Sequence, residues 1–335
     1  KKVYRIERRE MVPLKEKDYG SFYSGDCYVI FYKYEESGRP AYLIYYWLGS
    51  NSSQDERGTA ALKAIELDDE YGGKPVQIRV VQGKEPPHLL SMFVGSFKIL
   101  RGGISSLFDG LPEGTLESSQ EGRSTLYQIH GIDRLRTRAI EVECSASSLN
   151  TNDCFVLITK KGPNYIWFGK SSIGDEREMA KLYLSGEDYE GIYEGLEAAG
   201  FWSLLGGKGD YYRERISSSS VQKYGSLHEA QEPRCFHVKG ANMVDEIFDF
   251  NQRDLIPDDV MLLDAGDCLY VWIGAASSEV EKKSVLQISE DYLASDPTER
   301  DLDIPLIMVK QGDEPSHFKG FFGPWDATWF DKSFQ

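Results

Sequence analysis

The chain has 335 residues, 41% hydrophobic and 13% aromatic, enough for two or three ordinary cores and too apolar for a disordered chain. Its formal net charge of −16 excludes nucleic acid as the main partner, because phosphate binding needs a basic footprint; it fits hard cations or a basic patch on a protein, and equally fits simple solubility. Five cysteines without a CxxC pair exclude a zinc ribbon and point to a reducing compartment, and no apolar run reaches the roughly 18 residues of a membrane span.

The chain opens Lys1-Lys2-Val3 without an initiator Met or a signal-peptide pattern, and is expected to be a piece of something larger. Gly25-Asp26 leads into a predicted strand over 27–34. A second strand over 41–47 ends in Trp47-Leu48-Gly49, and Glu56 lies seven residues past that glycine. A helix is predicted over 52–71 (SSQDERGTAALKAIELDDEY), stopped by Gly72-Gly73. Ala61, Leu62, Ile65 and Leu67 fit a buried stripe on it only loosely. Gly58 weakens it by roughly 1 kcal/mol relative to Ala, and either admits a close partner surface or eases packing inside the domain. Its acidic end, Asp68-Asp69-Glu70, reads as a solvated tip or as a ligand source for a second cation at an interface. A strand over 76–81 follows, then Gln82-Gly83-Lys84-Glu85-Pro86-Pro87-His88 and a short aromatic helix.

The layout then recurs. Asn152-Asp153 leads into a strand, Trp167-Phe168-Gly169 ends the next, and Glu176 lies seven past the glycine. Asp258-Asp259, Trp272-Ile273-Gly274 and Glu281 repeat the spacing a third time. The tail returns as Gln311-Gly312-Asp313-Glu314-Pro315-Ser316-His317, and in worn form as Glu194-Gly195-Leu196-Glu197-Ala198. One α+β domain type repeated three times is therefore expected, over 1–104, 125–208 and 233–335, with low-hydrophobicity linkers at 105–124 and 209–232.

An Asp at the start of a buried strand and a Glu on the first turn of a helix packed against it repel if they converge, unless a cation lies between them. Asp26 with Glu56, Asp153 with Glu176 and Asp259 with Glu281 form such pairs, and Gly25, Asn152 and Asp258 each offer a carbonyl. Calcium suits such an all-oxygen set. On the other reading, each Glu only complements the helix dipole and each Asp only caps a turn. No EF-hand, phosphate-loop, GxSxG or Cys/His nucleophile pattern occurs, so no enzyme is expected. The histidines (His88, His130, His228, His237, His317) lack metal-ligand spacing, and the shared repeat position of His88 and His317 points to shared packing.

Gly25-Asp26-Cys27-Tyr28, Gln54-Asp55-Glu56, the stretch Pro75 to Phe93 and the run Asp258 to Asp264 resemble the gelsolin/villin superfamily over nearly the whole chain. The motif order is similar to the fourth to sixth domains of a six-domain member. GDEREMAK (Gly174 to Lys181) and DFNQRDL (Asp249 to Leu255) lean towards villin.

The resemblance implies a five-stranded sheet between a long and a short helix in each domain. It implies a calcium site in each: the Gly25 carbonyl, Asp26 and Glu56, with Ile104 at a fourth ligand position; the Asn152 carbonyl, Asp153 and Glu176; and the Asp258 carbonyl, Asp259 and Glu281. A further calcium site shared with actin is implied at Asp68 and the Gly73 and Pro75 carbonyls. The helix over 52–71 resembles the one that enters the actin cleft. The expected function is calcium-regulated binding of actin, monomer and filament, contributing to severing, capping or nucleation in the cytoplasmic cytoskeleton. Without calcium the domains are expected to pack together and cover the actin-binding helix. A calcium-independent structural or bundling module is the alternative. Phosphoinositides bind many relatives, and Arg134 to Arg138 is the best basic stretch for them here.

Overall fold

The computed structural model describes residues 1–36, 38–93, 96–103, 124–131, 137–213, 233–238, 244–277, 279–295 and 301–333. Ile104, Arg134–Arg136 and most of both expected linkers (105–123 and 214–232) lie outside them, as does the side chain of Glu281.

The first unit contains β1 (Lys2–Glu7), β2 (Glu10–Pro13), β3 (Ser21–Tyr23), β4 (Cys27–Glu36), β5 (Arg39–Leu48), helix α1 (Gln54–Glu70), β6 (Val76–Val81), α2 (Pro87–Ser91) and β7 (Lys98–Leu100). The second has β8 (Thr125–His130), β9 (Arg138–Val142), β10 (Cys154–Ile158), β11 (Asn164–Phe168), α3 (Gly174–Tyr183), β12 (Tyr189–Tyr193) and α4 (Ala199–Leu204). The third has β13 (Arg234–Val238), β14 (Val244–Ile247), β15 (Val260–Asp264), β16 (Leu269–Ile273), α5 (Glu279–Ala294), β17 (Leu306–Lys310), α6 (Ser316–Gly320) and a terminal α7 (Trp329–Ser333).

Each unit builds the same five-stranded mixed sheet. The orders are β2-β1-β4-β5-β6, β9-β8-β10-β11-β12 and β14-β13-β15-β16-β17, with the last strand parallel to its neighbour and the rest antiparallel. Alternation along each strand sorts side chains to two faces. In the first unit Cys27, Val29, Phe31, Ile44 and Tyr46 meet Ala60, Ala64 and Leu67 of α1. Tyr28, Ile30, Tyr45 and Trp47 meet Leu89 and Leu90 of α2 on the other side. The same split places Met179 and Ala180 of α3 against Cys154 and Val156, and Phe201 and Trp202 of α4 against Phe155 and Trp167. The fold is thus α+β, a sheet between a long and a short helix in every unit.

The units are also joined through their sheets. β17 pairs antiparallel with β6 (Leu306↔Arg79, Ile307↔Ile78, Met308↔Gln77), fusing the first and third units into one ten-stranded sheet. β3 and β7 of the first unit extend the second unit's sheet to seven strands through β9.

The loose stripe expected on α1 holds at Leu67 and partly at Ala61, and is corrected at Leu62 and Ile65. Thr59, Ala60, Ala64, Leu67 and Asp68 form its buried face, whereas Leu62 is 62% and Ile65 43% exposed. The helix packs small residues inward and turns two large aliphatic ones to solvent.

Candidate metal centres

The acidic turn before each central strand is held by the Trp-x-Gly turn. Gly49, Gly169 and Gly274 donate their N–H to the carbonyls of Asp26, Asp153 and Asp259 at 3.0–3.1 Å. An added Cβ at Gly49 would lie 2.3 Å from the Ser24 carbonyl oxygen, and one at Gly274 would lie 2.1 Å from that of Pro257, so only glycine fits. Ser52, Ser172 and Ser277, each three past that glycine, donate back to its carbonyl at 2.7–2.8 Å and shape the entry into the long helix. These serines were missed in the sequence, although the Gly-x-x-Ser spacing is repeated there.

In the first unit Asp26 is fully buried and receives the Tyr28 hydroxyl at 3.4 Å. Glu56 closes a capping box with Ser53 at the start of α1. The Gly25 N–H donates to the Gly102 carbonyl at 2.6 Å, and a Cβ on Gly103 would lie 2.7 Å from Asp26 Oδ1. The chain therefore passes directly over the acidic turn just before Ile104.

In the second unit three donors converge: ligand atoms of His130, Asp153 and Glu176 all lie within 4.8 Å of one another. Asp153 Oδ1 is 2.9 Å from His130 Nδ1, while its Oδ2 accepts from Asn150 Nδ2 (2.7 Å) and Gln128 Nε2 (2.5 Å). Glu176 Oε1 and Oε2 accept from the backbone N–H of Gly131 and Ile173, both at 3.2 Å. Burial, and then the Asp153 charge, push the Glu176 carboxyl up to about 9. Burial also pushes Asp153 up, but the hydrogen bond and charge of His130, with the hydrogen bonds from Asn150 and Gln128, outweigh it and hold Asp153 low. Asn152 donates its N–H to Asn150 Oδ1 at 2.9 Å within the same turn.

In the third unit Asp258 is exposed and Asp259 half-buried, with Asp259 Oδ2 2.9 Å from His237 Nε2. Glu281 sits in α5. His130, Gln128 and His237 gained their roles from strand pairing, which sequence spacing did not reveal.

The fourth expected site lies at the end of α1. Asp68 is 1% exposed, and the Gly73 N–H donates to its backbone carbonyl at 3.0 Å. Pro75 is buried beside them. Asp68 Oδ2 accepts from Gln77 Nε2 at 2.9 Å and from Lys310 Nζ, which reaches across from β17; Oδ1 is buried without a hydrogen-bond partner. A Cβ on Gly73 would lie 3.1 Å from that same Lys310 Nζ. A protein ammonium thus stands between two of the three residues expected to hold a cation.

At two of the four expected sites the donors fit a cation such as calcium. Asp68 has an orphaned buried oxygen, and the Asp153–Glu176 pair is too close for both groups to ionise comfortably without positive charge.

Fold and sites together define a protein of repeated α+β units, each with an acidic turn facing the start of its long helix. The Gelsolin repeat family model matches residues 8–90 and 242–319. Gelsolin of Xenopus laevis is 40% identical over 334 residues, covering 99% of this chain and 77% of its own length. Advillin of Mus musculus is 42% identical over 328 residues, covering 97% of this chain but only 38% of its own length. The solved chain titled as the Thorarchaeota 2DGel3/rabbit actin complex is 25% identical and covers 61% of this chain and 98% of its own; its TM-score of 0.26 is too low to carry an argument. The chain belongs to the gelsolin family, and its whole length matches the C-terminal half of such relatives.

Proposed function

We propose that this chain binds actin through its first unit under calcium control, and that it contributes to filament severing, capping or nucleation in the cytoplasmic cytoskeleton. The observation that carries this reading is Lys310 Nζ on Asp68, at the end of the helix that resembles the family's actin-binding helix. Calcium would be held by Asp26 and Glu56, Asp153 and Glu176, Asp259 and Glu281, and at Asp68 with the Gly73 and Pro75 carbonyls, where it supplies positive charge between carboxylates. Gly25, Asn152, Asp258 and Ile104 complete the proposed sets through their carbonyls.

The chain's own part is to release Asp68. That requires Lys310 to leave, the three β6–β17 residue pairs to part and the Arg79–Glu290 ion pair (3.0 Å) to break. The state in which Asp68 is free of Lys310 accepts the cation better, so cation binding shifts the population towards it.

Calorimetric calcium titration tests this, on the wild type and on Asp26→Ala, Asp153→Ala and Asp259→Ala, with actin-monomer binding measured in parallel. Loss of one site per variant and calcium-dependent actin binding are expected. No calcium uptake at millimolar concentration would overturn the regulation.

A second reading, calcium-independent structural binding, is favoured by one observation: Leu62 and Ile65 on α1 already face solvent. The neighbouring units therefore leave this face of α1 exposed, contrary to the expectation that they cover the helix; the block lies at its end. Phosphoinositide binding at Arg134 to Arg138 would lack one cation, since Arg138 is engaged by the Gly83 carbonyl and Glu85.

A further inference from the structure

The fifth strand of each unit ends that unit's own sheet. In two units it is covered, because β6 and β17 pair with each other. That pairing matches like with like. Val80 faces Trp47 and Val309 faces Trp272 across the parallel ladders, so Ile78 and Ile307, each two residues earlier, are equivalent positions; they face each other at the centre of the junction. The junction is thus a local two-fold between copies of one strand. β12 is the same strand of the second unit, with Ile192 facing Trp167. Among the described residues no strand pairs with its outer edge, and Tyr189, Glu190, Gly191 and Tyr193 are exposed. Within one chain β6 and β17 already occupy each other, so an equivalent strand for β12 has to come from a second copy.

The sequence of β12 suits such a partner. Tyr189-Glu190-Gly191-Ile192-Tyr193 reads almost alike in both directions. In the register of β6 with β17, Glu190 would face its own counterpart, and like charges directly opposite each other are destabilising. Centred one residue further on, at Gly191, Tyr189 faces Tyr193 at both ends and Glu190 faces Ile192. The two tyrosines are 41% and 57% exposed, and the Tyr193 ring lies 5.2 Å from that of Phe168 on the α3 face. Alternation puts Tyr189 and Gly191 on that face too. Two aromatic cross-strand pairs would flank an axis at which Gly191 has no side chain to hold the backbones apart. On the α4 face a groove of about 200 Å³, lined in part by Tyr165, Ile192, Leu196 and Phe201, lies open beside the same edge, with Leu196 79% exposed.

We infer that β12 is a self-association edge: two copies of this chain pair antiparallel through it, centred on Gly191, to form a symmetric dimer. One five-residue strand buries less than the roughly 1,200 Å² of a standard interface, so the dimer belongs to the weak, transient class. The inference rests neither on calcium nor on actin.

Sedimentation equilibrium on the full chain, with chelator present, should show a monomer–dimer equilibrium between about 10 μM and 1 mM. Tyr189→Lys combined with Tyr193→Lys sets two ammonium groups opposite each other at each end and should weaken association at least about tenfold; Tyr189→Glu with Tyr193→Glu should do the same with carboxylates. An equimolar mixture of the two variants sets ammonium against carboxylate and should restore the dimer. On the unaltered chain, hydrogen exchange of the β12 amides should slow as concentration rises, a readout that needs no variant to fold. A chain still monomeric at about 1 mM, a dimer undiminished in either variant, no recovery in a mixture of folded variants, or β12 exchange independent of concentration would each overturn the inference. The first outcome would leave the edge to an extended segment of another protein.

Discussion

Two carboxylates as close as those of Asp153 and Glu176 share one proton more readily than they share a buried pocket as two anions. The Glu176 pKa is higher folded, about 9, than its ordinary 4.5, so the folded chain holds that proton more tightly between these limits. Stability in metal-free solution should therefore fall as pH rises through this window, by up to about 1.4 kcal/mol per pH unit from this group. Urea unfolding of Glu176→Gln should show that slope removed and a metal-free chain at pH 8 more stable than wild type. An unchanged slope would mean the pair does not couple in solution. The Asp and Glu of this pair were legible in sequence because three units repeat their spacing. His130 was not, because its place beside Asp153 depends on which residues of β8 and β10 face each other.

At the scale of the element, each unit ties its two turns with the same polar clamp. The Trp indole of Trp-x-Gly donates to the tail glutamate: Trp47 to Glu85 and Trp167 to Glu197 at 2.9 Å, Trp272 to Glu314 at 3.0 Å. The same glutamate oxygen accepts from the N–H of Gly83, Gly195 and Gly312. The second unit keeps this clamp although Ala198 replaces the proline, so the worn motif preserved the residue that bonds. His88 and His317 likewise each hydrogen-bond a tyrosine of the second hairpin strand, Tyr45 and Tyr270. Gly49→Ala should cost at least about 2 kcal/mol, because the new methyl meets backbone carbonyls rather than a movable side chain. A lowered urea midpoint at unchanged slope would register it. A change under about 0.5 kcal/mol would show that the acidic turn yields easily. Strands and turns were readable because short aromatic and β-branched runs and Trp-x-Gly are local signals. The inward face of α1 was misread because, Leu67 apart, it is made of small residues, Ala60, Ala64 and Thr59, while Leu62 and Ile65 point outward.

For the whole molecule, the β6–β17 junction is the weak seam. It buries Gln77 and Arg79, and leaves Gln77 Oε1, Arg79 Nε and Nη2, and Asp68 Oδ1 without hydrogen-bond partners. Each such group costs about 1–3 kcal/mol. Lys310→Ala would leave Asp68 buried without its ammonium. Breaking a buried pair costs about 3–5 kcal/mol, less here because the Lys310 side chain is 37% exposed. Small-angle scattering should then show an expanded molecule without calcium, and adding Asp68→Asn should restore compactness. An unchanged radius in Lys310→Ala would mean that the ion pair does not hold the seam. No local pattern could announce this contact, since its partners lie 242 residues apart and meet only once two sheets are built.

Opening that seam would also bare two strand edges made to fit one another. β17 of an opened molecule could then pair with β6 of a neighbour as well as with its own, which is the condition for strand exchange between copies. Gln77 and Arg79 on one edge and Lys310 on the other oppose this, because polar and charged side chains along a bare edge discourage pairing with strangers. The polar residues that line the closed seam thus keep the open molecule from assembling with itself at those edges.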